Sequence, residues 1–197
     1  ERGALADALE AAGVAVHLVP FRKRWDPAGL RRLAALMRER RIDVVHSHMY
    51  RANVPATVAA RLAGVRAVWG QVHNVGTWET RRQAWMDRWL CRWRTGMIAV
   101  SERVRQDAMA TLRLPEGRVR VIYNGVELER FRAARARREE VRAREGVGPD
   151  EVVFIFAARL VEQKRCRDFL DAFGRLQRME GGMEGGMKGV GKLHAWV

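Results

Sequence analysis

The sequence predicts an α/β protein with a doubly wound parallel sheet, and three observations lead to this fold class. Short runs of β-branched and other apolar residues alternate with longer segments of helical periodicity. The helical segments are long enough for the crossover that two parallel strands require, and such crossovers place helices on both faces of a doubly wound sheet. Hydrophobic residues make up 48% of the chain and charged residues 30%, which is typical of a globular protein and excludes a wholly disordered or fibrous one.

Each predicted element has a local reason in the sequence. Gly13 and Gly64 each follow a run of helical periodicity, and glycine is the residue that most often ends a helix. Asp26-Pro27 combines a capping carboxylate with proline in the first turn, so a helix begins there. The predicted order is a helix at 4–12, a buried strand at 14–19, a helix from 27, a strand at 42–45, a helix at 54–62, strands at 65–69 and 98–100, a helix capped by Ser101, strands at 119–122 and 152–156, and a helix at 167–178.

Changes in composition along the chain predict four regions. Residues 1–122 are expected to form an N-terminal Rossmann-like domain without its first strand, and residues 123–150 a charged connection with one exposed helix. Residues 151–178 are expected to begin a second Rossmann-like domain, because the run 152–156 is apolar enough to be buried on both faces of a sheet. Residues 179–197 contain six glycines and are predicted to be a flexible, non-native tail without a folded element.

The charge of the chain limits its partners. The formal net charge is +14, and 33 of the 37 basic residues are arginine. A non-catalytic basic module that binds nucleic acid or an anionic membrane is therefore one hypothesis. The arginines are spread along the chain and no nucleic-acid-binding motif accompanies them, so nucleic acid is not the expected partner. Apolar runs stay well short of the ~20 residues that span a bilayer, and Cys91 and Cys166 fit neither a disulfide framework nor a zinc signature.

Histidines near the ends of two predicted strands mark a candidate site, since ligands of open parallel sheets bind beyond the carboxyl ends of the strands. His46 and His48 lie at the end of one strand, and His73 follows the next. Two histidines with this spacing also occur in metal sites, but these are alternating residues of one strand without a carboxylate partner, so we expect no metal. For His73 a functional role and a structural role both remain open.

Two cations follow the apolar strand of the second domain. Arg159 and Lys164 lie in the loop that leads to the next helix, and the amino end of a helix is positive. Such a loop suits a phosphate dianion, although a solvated basic loop is the alternative interpretation. Upstream, the dipeptide Asn124-Gly125 predicts a turn.

Four tryptophans are spaced for one face of a helix and are surrounded by arginines. They are Trp78, Trp85, Trp89 and Trp93. This composition is typical of a helix that lies in a membrane interface. The alternative, which we prefer at this point, is that the tryptophans pack on the sheet as core.

Five segments, taken in order, resemble one enzyme family. They are D-V-V-H-S-H, V-W-G-Q-V-H, I-A-V-S-E, V-I-Y-N-G-V-E and F-A-A-R-L-V-E-Q-K. Their order and spacing are similar to those of the retaining GT-B glycosyltransferases of the large group-1, or GT4-like, family, over residues 3–178. The resemblance implies two Rossmann-like domains that face each other across a cleft, with the acceptor bound by the N-terminal domain and a nucleotide-sugar by the second.

The resemblance also implies roles for individual residues. Arg159 and Lys164 match the basic pair that binds the donor diphosphate, where preplaced cations stabilise the charge of the departing group without a metal. His73 matches a histidine near the donor sugar and the reaction centre, which makes it the candidate catalytic residue. Asn124 and Gly125 match the interdomain turn, a structural role.

The implied activity is hexosyl transfer from a nucleotide-sugar to an acceptor hydroxyl, with retention of configuration and no cofactor. Family members often use lipid-linked acceptors, so the resemblance implies polysaccharide or glycolipid biosynthesis in the cytoplasm, with a peripheral contact at the inner face of an anionic membrane as a further partner. The family's glycine-rich loop after its first strand and its downstream E-x7-E element are not found in the sequence. We therefore expect these residues to be the middle of a longer enzyme and to be inactive alone.

Overall fold

The computed structural model describes residues 3–22, 26–182 and 193–196, and it divides into two compact units, Glu1–Gly125 and Val126–Val197. The helices are α1 (Ala4–Ala11), α2 (Pro27–Glu39), α3 (Tyr50–Ala63), α4 (Arg81–Leu90), α5 (Glu102–Leu112), α6 (Leu128–Ala136), α7 (Arg138–Arg144) and α8 (Cys166–Gly182). The strands are β1 (Val44–His48), β2 (Ala67–Val72), β3 (Gly96–Ala99), β4 (Val119–Val121), β5 (Val152–Ile155) and β6 (Leu193–Trp196). Within the described ranges, each helix is too short or too polar to cross a membrane.

The first unit contains a four-stranded parallel sheet in the order β1-β2-β3-β4. Helices connect each strand to the next, so the predicted α/β, Rossmann-like fold class is confirmed. The strands of the sheet are in chain order, and parallel connections are almost always right-handed. Because each of these connections steps in the same direction across the sheet, helices α3, α4 and α5 lie on the same side of it.

The core of the first unit lies between this side of the sheet and helices α2 to α5. One buried cluster joins α2 and α3 to β1 and β2, and a second joins α3, α4 and α5 to β2, β3 and β4. The side chains at its centre are almost fully excluded from solvent: Ala59, Ala60, Val68, Val72, Met97, Ala99, Ala108 and Leu112. The opposite side of β1 carries Val44, His46 and His48, which are all exposed.

Three predicted helix ends in the first unit are confirmed, whereas α3 begins at Tyr50, four residues before the predicted start at residue 54. Asp26 caps α2 by accepting a hydrogen bond from the backbone N–H of Ala28 at 3.0 Å. Ser101 caps α5, where its hydroxyl oxygen accepts from the N–H of Val104 at 3.3 Å. Gly64 ends α3 with φ of 84°, a left-handed conformation that glycine adopts without steric cost. Backbone N–H groups, that of Arg22 first, hold the pKa of Asp26 below its ordinary value.

The predicted strand at 14–19 is wrong. This segment is extended, but it pairs with none of the described strands, and both Val14 and Leu18 are about half exposed. A strand is stabilised by a neighbour that accepts and donates its backbone hydrogen bonds, and the described sheet ends at β1. Apolar side chains alone therefore did not produce a buried strand here.

The second unit contains two helices where the sequence predicted a connection with one. After α6 and α7, the chain forms β5, which pairs in parallel with β6, and α8 packs against β5. Phe154 contacts Phe173 and Phe156 contacts Phe169, with ring centroids 5.8 and 5.4 Å apart. The prediction that this strand is buried on both faces is wrong, because two strands and one packed helix leave Ile155 63% exposed.

The prediction that residues 179–197 contain no folded element is wrong for two segments. α8 continues to Gly182, and residues 193–196 form β6. An edge of β5 without a partner would leave its backbone groups unpaired, and β6 pairs with them. The connection through α8 is long enough for β6 to run parallel to β5. The ring nitrogen Nε2 of His194 also lies 2.9 Å from a carboxylate oxygen of Glu151. The rest of the predicted tail, 183–192 and 197, lies outside the described residues.

Candidate functional site

Three histidines meet at the carboxyl edge of the first sheet. β1 and β2 are parallel neighbours, so their carboxyl ends lie side by side, and β1 continues three residues past the predicted end to include His46 and His48. His73 directly follows β2. Nδ1 of His48 lies 3.2 Å from Nε2 of His73, and the ring centroids of His46 and His48 are 4.4 Å apart. The structure thus brings together all three histidines that the sequence placed at strand ends.

The pKa of His48 lies below its ordinary value. Partial burial is the main cause, and repulsion from the neighbouring imidazoles of His46 and His73 adds to it. A neutral His48 can share one proton with His73, so that one ring nitrogen donates and the other accepts. The hydrogen bond holds the ring of His73 in one orientation at the edge of the sheet.

A buried amide fixes the two strand ends beneath these rings. Ser47, between the two histidines, points to the opposite side, where its hydroxyl donates to Oδ1 of Asn53 at 2.8 Å. Asn53 is fully buried and donates from Nδ2 to the carbonyl oxygen of Gln71 at 3.1 Å. The sequence analysis missed this residue. The signal was present, because Asn53 stands among alanines and valines on the apolar side of a helical pattern.

The backbone is strained directly after His48. Met49 has φ of 70° and ψ of 148°, a region that residues other than glycine rarely occupy. Its N–H donates to the carbonyl oxygen of Gln71 at 3.0 Å, which ties the turn into α3 to the neighbouring strand. Strain of this kind persists only where surrounding contacts enforce it, and it is frequent at functional sites.

A buried ion pair links α4 to the segment that precedes β3. Nη2 of Arg94 lies 2.6 Å from Oδ1 of Asp87, and both side chains are fully buried. The indole N–H of Trp78 donates to Oδ2 of Asp87 at 2.9 Å, and Nε of Arg94 donates to the hydroxyl of Thr57 at 2.7 Å. Burial raises the pKa of the nearby Cys91 thiol to about 11. This network was not predicted, because its members come from α3, from α4 and from the segments before and after α4.

Arg159 and Lys164 belong to the second unit and are both exposed. They lie in the loop between β5 and α8, as predicted, and Lys164 ends a short 3-10 turn two residues before α8 begins. Within the described residues, neither cation forms an ion pair with a carboxylate, in contrast to Arg165, whose Nε lies 2.5 Å from Oδ2 of Asp168. Both cations are available to an anion.

Asn124 and Gly125 lie in an exposed segment that joins β4 to α6. The predicted tight turn is not formed: Gly125 is not among the glycines with positive φ, and residues 122–127 have no turn. An Asn-Gly turn is favoured where two strands reverse direction, whereas here the chain leaves a strand for a helix. The boundary between the two compact units nevertheless falls directly after Gly125.

In the part of the chain that the structure describes, no group of three or more His, Cys, Asp or Glu side chains is arranged to hold a metal ion. Among the three histidines, the rings of His48 and His73 are stacked with centroids 5.4 Å apart, and those of His46 and His48 are tilted by 40°.

Comparison with known proteins identifies the family. The model of the family described as Glycosyltransferase Family 4 matches residues 3–130, which is more than half of the chain. The chain belongs to glycosyltransferase family 4. A curated relative in Escherichia coli, the "UDP-Gal:alpha-D-GlcNAc-diphosphoundecaprenol alpha-1,3-galactosyltransferase", is 28% identical over 183 residues, 87% of this family 4 chain and 47% of the relative.

Solved structures share the fold. Anabaena Alr3699/HepE in complex with UDP and glucose matches with a TM-score of 0.71 at 19% identity, over 89% of this chain and 48% of that one. The same protein in complex with UDP gives 0.72 at 15%, over 100% and 60%. A glycosyltransferase from Rickettsia africae ESF-5 gives 0.66 at 18%, over 90% and 48%. The family 4 chain thus has the GT-B type of fold, and it spans about half the length of the relatives it matches.

Proposed function

We propose that this chain forms part of an enzyme that transfers a hexose from a UDP-sugar to an acceptor hydroxyl, with retention of configuration. The observation that carries the proposal is the His48–His73 pair at the carboxyl edge of a parallel sheet in a family 4 chain. Ligands of such sheets bind at this edge. The E. coli relative is named for a UDP-Gal donor, and Alr3699/HepE binds UDP and glucose.

In this proposal His73 is the catalytic residue, in contact with the donor sugar, and His48 positions it. A neutral imidazole in a fixed orientation can accept or donate one hydrogen bond to a sugar hydroxyl. The lowered pKa of His48 supports this role, since a protonated His48 could no longer accept a hydrogen bond from His73.

Arg159 and Lys164 bind the diphosphate of the donor in this proposal. Negative charge on the departing diphosphate grows as the glycosidic bond breaks, so cations in place beforehand interact more strongly with the transition state than with the ground state. Their exposure, their lack of described carboxylate partners and the nearby amino end of α8 support the assignment. The chemistry as proposed needs no metal.

The acceptor is proposed to be carried on a lipid diphosphate, by analogy with the diphosphoundecaprenol acceptor for which the E. coli relative is named. The reaction would then take place on the cytoplasmic side of an anionic membrane, in polysaccharide or glycolipid biosynthesis. The two cysteines are free, as is usual in a reducing compartment.

The diphosphate assignment is tested by titrating UDP into the isotopically labelled 197-residue chain and following its amide resonances. We expect shifts at residues 159–166 and a dissociation constant raised about tenfold or more in Lys164→Ala, because a hydrogen bond to a charged group is lost. Arg137→Ala is the matched control. Arg137 is also an exposed cation of the second unit, but it is paired with Glu140.

Equal affinity of the two variants for UDP would overturn the assignment. Because the E-x7-E element is not found in the sequence, we also propose that the 197 residues do not turn over a UDP-sugar. Release of UDP from UDP-galactose or UDP-glucose by the purified chain would contradict this second statement without affecting the first.

A further inference from the structure

Helix α4 exposes two large aromatic side chains among arginines. Trp85 is 69% exposed and Trp89 is 44% exposed, one helical turn apart. Four exposed arginines surround them: Arg81, Arg82, Arg88 and Arg92. These six residues form the α4 face, in which Arg92 belongs to the short 3-10 turn that directly follows α4. The preference for a core role is thus right for Trp78, which is buried, and wrong for Trp85 and Trp89.

The orientation of α4 is fixed by what lies beneath it. Asp87 and Leu90 are buried on its inner side, and Asp87 is held by Arg94 and by the indole of Trp78. Rotation of the helix to cover its tryptophans would move Asp87 away from a fully buried arginine, which is costly. The tryptophans therefore stay on the surface, where Trp89 is further steadied by an edge-to-face contact with Trp93, with centroids 4.5 Å apart.

The α4 face is purely positive. Asp87 is the single acidic residue between residues 81 and 93, and Arg94 already neutralises it in the interior. The outer side of α4 and the turn after it therefore carries the four arginines without an acidic residue from the same segment beside them. Glu79, just before the helix, is the nearest carboxylate along the chain. A partner of this surface would be apolar at its centre and anionic around it.

We propose that the α4 face docks on the surface of a bilayer that contains anionic phospholipid. Tryptophan favours the boundary between the headgroups and the acyl chains, because its ring is apolar and its N–H is polar. Each arginine near an anionic surface adds attraction. The inference extends the proposed function, whose acceptor is lipid-linked, by naming the surface that would meet the membrane.

A single-stranded nucleic acid is the rival partner, since it also combines negative charge with flat apolar groups. Proteins that bind single strands use a positive groove whose aromatic side chains stack on successive bases. Trp85 and Trp89 lie instead on the exposed side of a single helix, and the ring of Trp89 is already in contact with that of Trp93. The geometry favours the bilayer.

The test is co-sedimentation of the 197-residue chain with vesicles of phosphatidylcholine alone or with about a third of phosphatidylglycerol. We expect binding to the anionic vesicles, a blue shift of tryptophan fluorescence, and release at high salt, because screening shortens the range of the attraction from about 10 Å at 0.1 M to about 3 Å at 1 M. Trp85→Ala with Trp89→Ala, and separately Arg82→Gln with Arg88→Gln, should each weaken binding about tenfold or more.

Phe131→Ala is the matched control. Phe131 is 64% exposed on α6 and is flanked by arginines, yet it lies outside the α4 face, so the variant should bind vesicles as the unmodified chain does. All of the substituted side chains are exposed or point outward, and far-UV circular dichroism checks the fold. Equal binding to neutral vesicles, equal loss in Phe131→Ala, or binding to a single-stranded oligonucleotide without binding to anionic vesicles would overturn the proposal. None of these outcomes depends on whether UDP binds.

Discussion

The two units of this chain bury their strands to very different degrees, and the more apolar strand is the less buried one. In the first unit β3 is buried along its whole length, and Ala99 is completely excluded from solvent. In the second unit β5 consists of Val, Val, Phe and Ile, yet its residues are only half-buried or exposed. Hydrophobicity of a strand favours burial, but the number of elements packed around it decides how far burial goes.

The two units also differ in how deeply their ion pairs are buried. The first unit buries an ion pair whose partners are both fully enclosed, Asp87 and Arg94. In the second unit the described Arg–Glu and Arg–Asp pairs are exposed, such as Arg137 with Glu140 and Arg165 with Asp168. A buried pair locks specific elements together because neither charge tolerates being left alone, whereas exposed pairs contribute little to stability.

The largest expected effect therefore comes from Asp87→Ala. Removing this carboxylate leaves the Arg94 guanidinium and the Trp78 indole N–H buried without their partner, and we expect a loss of about 3–5 kcal/mol in the free energy of unfolding. Urea unfolding followed by tryptophan fluorescence measures it, since six of the seven tryptophans lie in the first unit.

Glu140→Ala is the comparison in the second unit. It removes the partner of an exposed arginine, and we expect unfolding curves by fluorescence and by far-UV circular dichroism to stay unchanged. If Glu140→Ala destabilised the protein as much as Asp87→Ala, the distinction between a buried and an exposed ion pair would fail here.

A smaller effect is expected from the helix caps. Ser101→Ala removes the hydroxyl that accepts from the N–H of Val104 at the start of α5, and such a change costs about 1 kcal/mol of stability. Glu127 holds the corresponding position before α6 but makes no side-chain hydrogen bond there, so Glu127→Ala should leave stability unchanged. Thermal unfolding of the two variants, measured together, checks the difference, and a larger loss in Glu127→Ala would contradict it.

The smallest expected effect is a pH dependence confined to the first unit. The pKa of His48 is lower in the folded protein than its ordinary value near 6.5, so the unfolded chain binds more protons in the range between them. The stability from a neutral His48 is therefore complete above that ordinary value and is lost as the pH falls through it toward the folded value. Thermal midpoints by tryptophan fluorescence should fall from pH 7 to 5.

The slope of this fall should be smaller in His48→Gln than in the unmodified chain. His17→Gln is the control, because His17 is exposed in an extended segment away from the three histidines. An unchanged slope in His48→Gln would mean that burial and the neighbouring His46 and His73 do not lower the pKa of His48 in the folded chain.

Prediction from sequence succeeded where the cause is local. The caps at Asp26 and Ser101 and the left-handed end at Gly64 each depend on side chains within a few residues, and the structure confirms all three. It failed at 14–19 and at Asn124-Gly125, where a strand needs a neighbour and a turn needs two segments that reverse direction. The same limit applies to the site: the sequence placed His46, His48 and His73 at strand ends, but not the 3.2 Å contact between two of them.

The sequence by itself determined the alternation of strands and helices, the fold class, the family, and the type of residue at each strand end, because periodicity, capping and motif order are properties of the chain. The tertiary structure decided that Trp78 is core while Trp85 and Trp89 are surface, which carboxylate is buried against Arg94, and which strand stays half exposed. These depend on distances between residues far apart in the sequence. Burial and ion pairing act through space, and only the packed arrangement of elements sets those distances.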